Sequence, residues 1–73
     1  MAPSLGSIVA RNLRRTRQER GLTQEELAHR TGVNRNYVGM IEREENSPTV
    51  EMLERLCKAL DIDPIVLFRR GKG

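Results

Sequence analysis

The stretch from Thr23 to Glu42, TQEELAHRTGVNRNYVGMIE, limits the possible folds more than any other part of the chain. It holds two helix starts and one helix stop. Thr23 precedes a run of helix formers with Glu26 three positions on, the spacing of a capping box: the hydroxyl accepts from the N–H of residue 26, and the Glu26 carboxylate reaches back to the N–H of Thr23. Gly32 takes positive φ without steric cost and so ends the first helix. Asn34 is a good cap for the next. Gly21 and Leu22 lie just outside, where the chain bends. Two short helices therefore follow each other with only a few residues between them.

Two helices so closely joined make a helix-turn-helix over residues 24–42, a motif whose second helix is built to enter a DNA major groove. That second helix sorts into two faces. Val38 and Ile41 point inward with Val33 and Leu27, while Arg35, Asn36, Gly39, Met40 and Arg43 recur on another face. The second face carries chemistry that reads bases. Arg bonds guanine O6 and N7 together, Asn does the same to adenine, and Met touches a thymine methyl. An ordinary solvated helix face has a similar composition, and only the combination with the turn and the cap favours base reading.

The sequence resembles the Cro/C1-type (XRE) helix-turn-helix family over about residues 8–68. The resemblance rests on Gln24-Glu25-Glu26-Leu27-Ala28, Gly32-Val33, Val38, Ile41-Glu42-Arg43 and Pro48-Thr49. It implies an all-α, compact five-helix lambda-repressor-like DNA-binding domain. Ala28 is implied to be small where two helices cross. Arg35, Asn36 and Met40, with Gly39 beside them, match the base readers. Gln24 is implied to contact the DNA backbone or a base, and Thr23, Asn34, Tyr37, Arg43, Asn46, Ser47 and Arg14 are implied or expected to lie on the DNA backbone. Arg17 and Glu42 match a partly buried ion pair tying the first helix to the recognition helix. A narrower similarity, to controller proteins of restriction–modification systems, rests on Asn36-Tyr37-Val38-Gly39 and Ile41-Glu42-Arg43. Two features depart from the family pattern. Arg43-Glu44-Glu45-Asn46 stands where a glycine usually follows, which suggests a longer recognition helix with Asn46 as its left-handed cap. Gly39 stands where serine is common. Glu44 and Glu45 are expected to turn away from phosphate.

The remaining chain reads as helices around this motif. Residues 1–7 read as a loose arm, because Pro3, Ser4 and Gly6 disfavour an early helix and Ser7 is the available cap. Ile8, Val9, Leu13 and Thr16 form the apolar stripe of helix one, over about Leu5 to Arg20, with Arg11, Arg14, Arg15, Arg17 and Arg20 on its polar side. Thr49 caps a fourth helix with Val50, Leu53, Leu56, Cys57 and Leu60 inward. Asp63-Pro64 opens a fifth, with Asp as cap and Pro at the first helical position. Ile65, Val66, Leu67 and Phe68 are more large apolar residues than so short a helix hides. Ile62, Ile65, Val66 and Phe68, within residues 62–70, are therefore expected to form a two-fold dimer interface; absorption of all four residues Ile65–Phe68 into the core is the alternative. Arg69, Arg70 and Lys72 make a basic end, with residues 71–73 as a tail.

Composition fits a small regulator. Seventy-three residues suffice for one domain, here taken as residues 1–73, and a core of that size is marginal, which dimerisation supplements. Hydrophobic residues at 37% and charged residues at 32% suit a globular protein with a well-solvated surface, and a net charge of +3 suits a polyanionic partner. Cys57 is the only cysteine, so no internal disulfide forms, and its apolar setting marks it as a core residue. With no leader and no long apolar run, a cytoplasmic protein is expected, nucleoid-associated on DNA and without a membrane partner. No cofactor or metal is expected, and catalysis is disfavoured: His29 is the only histidine and has no nucleophile or ligand at useful spacing. The reading is a DNA-binding regulator acting as a homodimer on double-stranded DNA, with RNA polymerase or an antagonist protein as further contacts. The alternative is an adaptor, such as an antitoxin-type helix-turn-helix that docks on a partner protein. The scarcity of aromatic anchors, Tyr37 and Phe68 alone, argues against it.

Overall fold

A computed structural model describes residues 3–71. Five helices follow in order: α1 Leu5–Glu19, α2 Gln24–Thr31, α3 Arg35–Glu42, α4 Val50–Leu60 and α5 Ile65–Phe68. The architecture is all-helical. α2 packs on α3 and α4, and α1 packs on α3 and α5. Leu13 of α1, Leu27 of α2, Val38 of α3, Leu56 of α4 and Leu67 of α5 are fully buried, so every helix contributes to one core.

Each helix start follows from its capping residue. Thr23 Oγ1 accepts from the N–H of Glu26 at 3.0 Å and the N–H of Thr23 donates to Glu26 Oε1 at 2.8 Å, completing the capping box. Asn34 Oδ1 accepts from the N–H of Asn36 at 2.7 Å, and Thr49 Oγ1 from that of Met52 at 3.1 Å. Asp63 Oδ1 accepts from the N–H of Ile65 at 2.9 Å, with Pro64 already in helical geometry, as Asp-Pro suggests. The first helix begins at Leu5, as its expected span has it, but its cap and the end of the arm differ from expectation. Ser4, not Ser7, is the cap, accepting from the N–H of Ser7 at 3.1 Å. Leu5 to Ser7 are therefore helical rather than part of an arm, and of the expected arm Met1 and Ala2 lie outside the described residues, as do Lys72 and Gly73 of the tail.

The first four helices all end in the same way. The N–H of Leu22, Val33, Glu45 and Ile62 donates to the carbonyl of Arg17, Ala28, Met40 and Cys57, each five residues back. This six-to-one closure requires a left-handed residue just before the donor. Gly21, Gly32, Glu44 and Asp61 supply it, with φ of 69°, 81°, 64° and 55°. Leu22, Val33 and Ile62 then turn inward onto the core, the apolar contact that usually accompanies such an ending. α3 is the exception in two respects. Glu44 rather than Asn46 is left-handed, because the closure onto Met40 comes two residues earlier than expected and Ser7 Oγ then donates to the Glu44 carboxylate. The residue after it is the charged Glu45, so this corner stays open to solvent.

Asn12, fully buried on α1, was not singled out by its sequence context. Its Nδ2 donates to the carbonyls of Leu67 at 2.9 Å and Arg69 at 2.6 Å, satisfying the end of α5, while its Oδ1 accepts from Arg15. Arg55 does the same for α2, donating to the carbonyl of Thr31 at 2.8 Å. Val50, expected inward, is 80% exposed, since it occupies the first helical position, ahead of the part of α4 that meets the core. Cys57 is buried, and burial, with Asp63 adding to it, pushes its thiol pKa up.

Asp61→Gly should raise the melting temperature by a few degrees, because glycine relieves the cost of an L side chain at φ 55°. Gly32→Ala should lower stability by about 1–2 kcal/mol. Thermal denaturation of both variants checks this, and equal melting points would mean that these positions are not strained.

Candidate nucleic-acid interface

The frame of the site is an ion pair between two helices that are distant in sequence. Arg17 of α1 donates from Nε to Glu42 Oε2 at 2.7 Å and from Nη2 to Oε1 at 3.1 Å. The Glu42 side chain is only 3% exposed and that of Arg17 only 10%. A buried carboxylate is costly unless its lone pairs are met. Gln24 Nε2 donates to Oε1 at 3.1 Å, and Arg17 Nη1 donates to the Leu22 carbonyl at 2.8 Å. One network thus fixes the last turn of α1, the corner before α2, the first residue of α2 and the end of α3.

This network sets how α3 is presented. Val38, Gly39 and Ile41 are buried, and Tyr37 packs partly against the core. Arg35 and Asn36 are exposed at the start of the helix, and Met40 is half-buried one turn later. Asn36 uses its backbone N–H on Asn34, leaving its side-chain amide outside that cap. The expected readers thus share the outer surface of one helix. Gly39 lies among them and is covered by Arg43: a Cβ on Gly39 would fall 2.8 Å from Arg43 Nη1 and 3.5 Å from Gln24 Oε1. Arg43 Nε and Nη2 in turn donate to Glu45 at 2.9 and 3.2 Å. Glu45 holds the Arg43 guanidinium above its usual pKa, and Arg43 holds the Glu45 carboxyl below its own.

The residues expected along the DNA backbone fall in different surroundings. Thr23 and Asn34 are exposed, their side-chain oxygens serving as caps. Gln24 is half-buried, and its amide nitrogen serves Glu42. Arg14 lines a shallow hollow with Arg11, Arg15, Glu42 and Glu44, beside the end of α3. Asn46 and Ser47 line a different cleft, bounded by Leu5, Val9, Pro48, Leu53 and Phe68. On α5, Ile65 is 57% and Phe68 39% exposed, Val66 is half-buried, and Ile62 packs against the core. Sequence reasoning missed Glu45 as a partner of Arg43. The signal available was an opposite charge two residues after Arg43.

A family model described as helix-turn-helix matches residues 13–67, which contain the whole network. The chain belongs to the Cro/C1-type helix-turn-helix family. It is 42% identical over 65 residues to the control protein C.SmaI of Serratia marcescens, covering 88% of this chain and 77% of that protein. The restriction–modification controller protein C.AhdI of Aeromonas hydrophila superposes with a TM-score of 0.83 at 38% identity, covering 86% of this chain and 96% of that one. The nucleoprotein complex of C.Esp1396I superposes with a TM-score of 0.81 at 34% identity, covering 92% and 87%. Members of this family are DNA-binding transcriptional regulators, not enzymes. No helix among the described residues is long and apolar enough to cross a membrane.

Arg17→Ala should cost about 3–5 kcal/mol, because it strands the buried Glu42 carboxylate, whereas Arg11→Ala on the exposed surface should cost little. Equal melting temperatures for the two variants would sink the idea. A second expectation concerns acid. The Glu26 carboxyl lies below its usual pKa, chiefly through its bond from the Thr23 N–H. A depressed folded pKa gives stability that is present above the unfolded pKa and lost as pH falls through the folded one. Glu26→Gln should therefore flatten the acid limb of a stability–pH curve measured by urea melts.

Proposed function

We propose that the protein is a transcriptional regulator that binds a pseudo-palindromic operator as a homodimer. The observation that carries this is the outer surface of α3: Arg35 and Asn36 exposed and Met40 half-buried beside them, on a helix held by the Arg17–Glu42 pair. Arg35 and Asn36 choose guanine and adenine by paired hydrogen bonds, and Met40 packs on a thymine methyl. Thr23, Asn34, Tyr37, Asn46, Ser47 and Arg14 hold register on the phosphates, together with whatever hydrogen-bonding capacity Gln24 retains beyond Glu42.

Dimerisation rests on α5. Leu67 alone is fully buried, while Ile65 and Phe68 present apolar surface that a second copy would cover, with Val66 and Ile62 at its edge. Two copies would put their recognition helices in successive major grooves, about 34 Å apart. The similarity to controller proteins, one of them in a nucleoprotein complex, supports this reading. Such a protein works in the cytoplasm, on the nucleoid. Its control falls to its own concentration, to cooperative binding, or to contact with RNA polymerase or an antagonist protein.

Selection of bound duplexes from a random pool at about 150 mM salt, where non-specific binding is weak, tests the proposal. A two-fold-related motif is expected. Weak, salt-sensitive binding with no motif would favour the adaptor reading instead. On the selected duplex, Arg35→Ala should cost about 1–3 kcal/mol and relax preference at one base pair, while Arg14→Ala should weaken all duplexes alike. Light scattering should give a dimer mass on DNA, and Ile65→Asp should reduce it to a monomer.

A further inference from the structure

Arg43 was expected to hold a phosphate, but its guanidinium does not extend away from the helix. It lies back over Gly39, in the middle of the outer surface of α3, with Nη1 2.8 Å and Cζ 3.6 Å from where a Gly39 Cβ would stand. Gly39 is buried there, on the same surface as Arg35, Asn36 and Met40. A side chain at residue 39 would force the guanidinium off this seat. Glycine inside a helix costs about 1 kcal/mol relative to alanine, so the seat comes at a cost in helix stability.

The second observation is the clamp. Glu45 takes the Nε and Nη2 edge of Arg43 through both carboxylate oxygens, at 2.9 and 3.2 Å. Glu45 is available because the α3 corner is closed by a charged residue where the other three corners turn an apolar residue inward. Binding on that edge leaves the Nη1 hydrogens and one Nη2 hydrogen free, the pair of donors that guanine O6 and N7 accept. The carboxylate also offsets part of the charge of Arg43, in a pair whose side chains are 57% and 54% exposed. This weakens the Coulombic attraction to phosphate while keeping the directional donors.

We infer that Arg43 is a specificity-determining base reader, seated on Gly39 and positioned by Glu45, which prefers guanine over the other bases at one position of each half-site. The inference rests on the operator-reading role proposed above.

Duplex selection and a panel of single-base variants of the selected site, each at several salt concentrations, test it. Arg43→Ala should reduce discrimination at one base pair by about 10- to 100-fold. Gly39→Ala should melt no lower than the parent, yet lose the same discrimination, and it should add nothing in an Arg43→Ala background. Glu45→Gln should bind random duplex more tightly with a steeper salt dependence, while its preference at that base pair weakens. An Arg43→Ala variant that weakens all duplexes equally, or a Gly39→Ala effect that persists without Arg43, would overturn the inference while leaving operator binding intact. If the parent protein enriches no sequence at all, the operator reading falls and this inference falls with it.

Discussion

The Glu42 carboxylate is almost out of water, and three N–H groups make that tolerable: two from Arg17 and one from Gln24. The rest of the architecture is arranged around this demand. Arg17 must lie at the end of α1, which forces the chain to turn at Gly21 and return through Leu22, whose carbonyl takes a third N–H of Arg17. Gln24 must open α2, which Thr23 ensures by capping it there. α3 is then held at its C-terminal end by charge and on its inner side by Val38 and Ile41. Charge and packing share the work: the pair fixes orientation, and the apolar core supplies most of the driving force.

The helix endings are of two kinds, those closed by an apolar residue and the one closed by a charge. Where the residue after the left-handed position is Leu22, Val33 or Ile62, that residue packs on the core, Leu22 buried and Val33 and Ile62 half-buried. Where it is Glu45, the corner remains in solvent and its side chain engages Arg43. α5, short and capped by Asp63, is closed by a borrowed group, the buried amide of Asn12. Its outer surface stays apolar and uncovered at Ile65 and Phe68.

Features set by local chemistry were legible in the sequence. Thr23, Asn34, Thr49 and Asp63 are legible as caps because capping depends on residues two or three positions apart, and all four act so. Gly32 was read as a stop for the same reason. The Arg17–Glu42 pair came only from family resemblance, since 25 residues separate the partners and nothing local joins them. Asn12 and Arg55 were not foreseen as terminators of α5 and α2, because a polar residue on a helix shows its partner only once the helices are packed. Glu44 in the left-handed position was missed because glutamate is a poor choice there, and its bond from Ser7 is likewise long-range. The surface carrying Arg35, Asn36 and Met40 was found by periodicity; the position of Arg43 across it was not, because spacing gives a direction and not a conformation.

Arg35, Asn36 and Met40 stand apart from the buried network that holds α3, and Asn36 joins the α3 cap only through its backbone. On the operator-reading role proposed above, selection on folding and selection on reading act on nearly separate sets of residues. After gene duplication, the outer side chains of α3 would be free to drift to a new operator while the frame inherits its stability unchanged. Gly39 is where the two pressures meet, since a substitution that strengthens the helix also displaces what lies upon it. A lineage of such proteins would then diverge quickly in the DNA it recognises and slowly in everything beneath that surface.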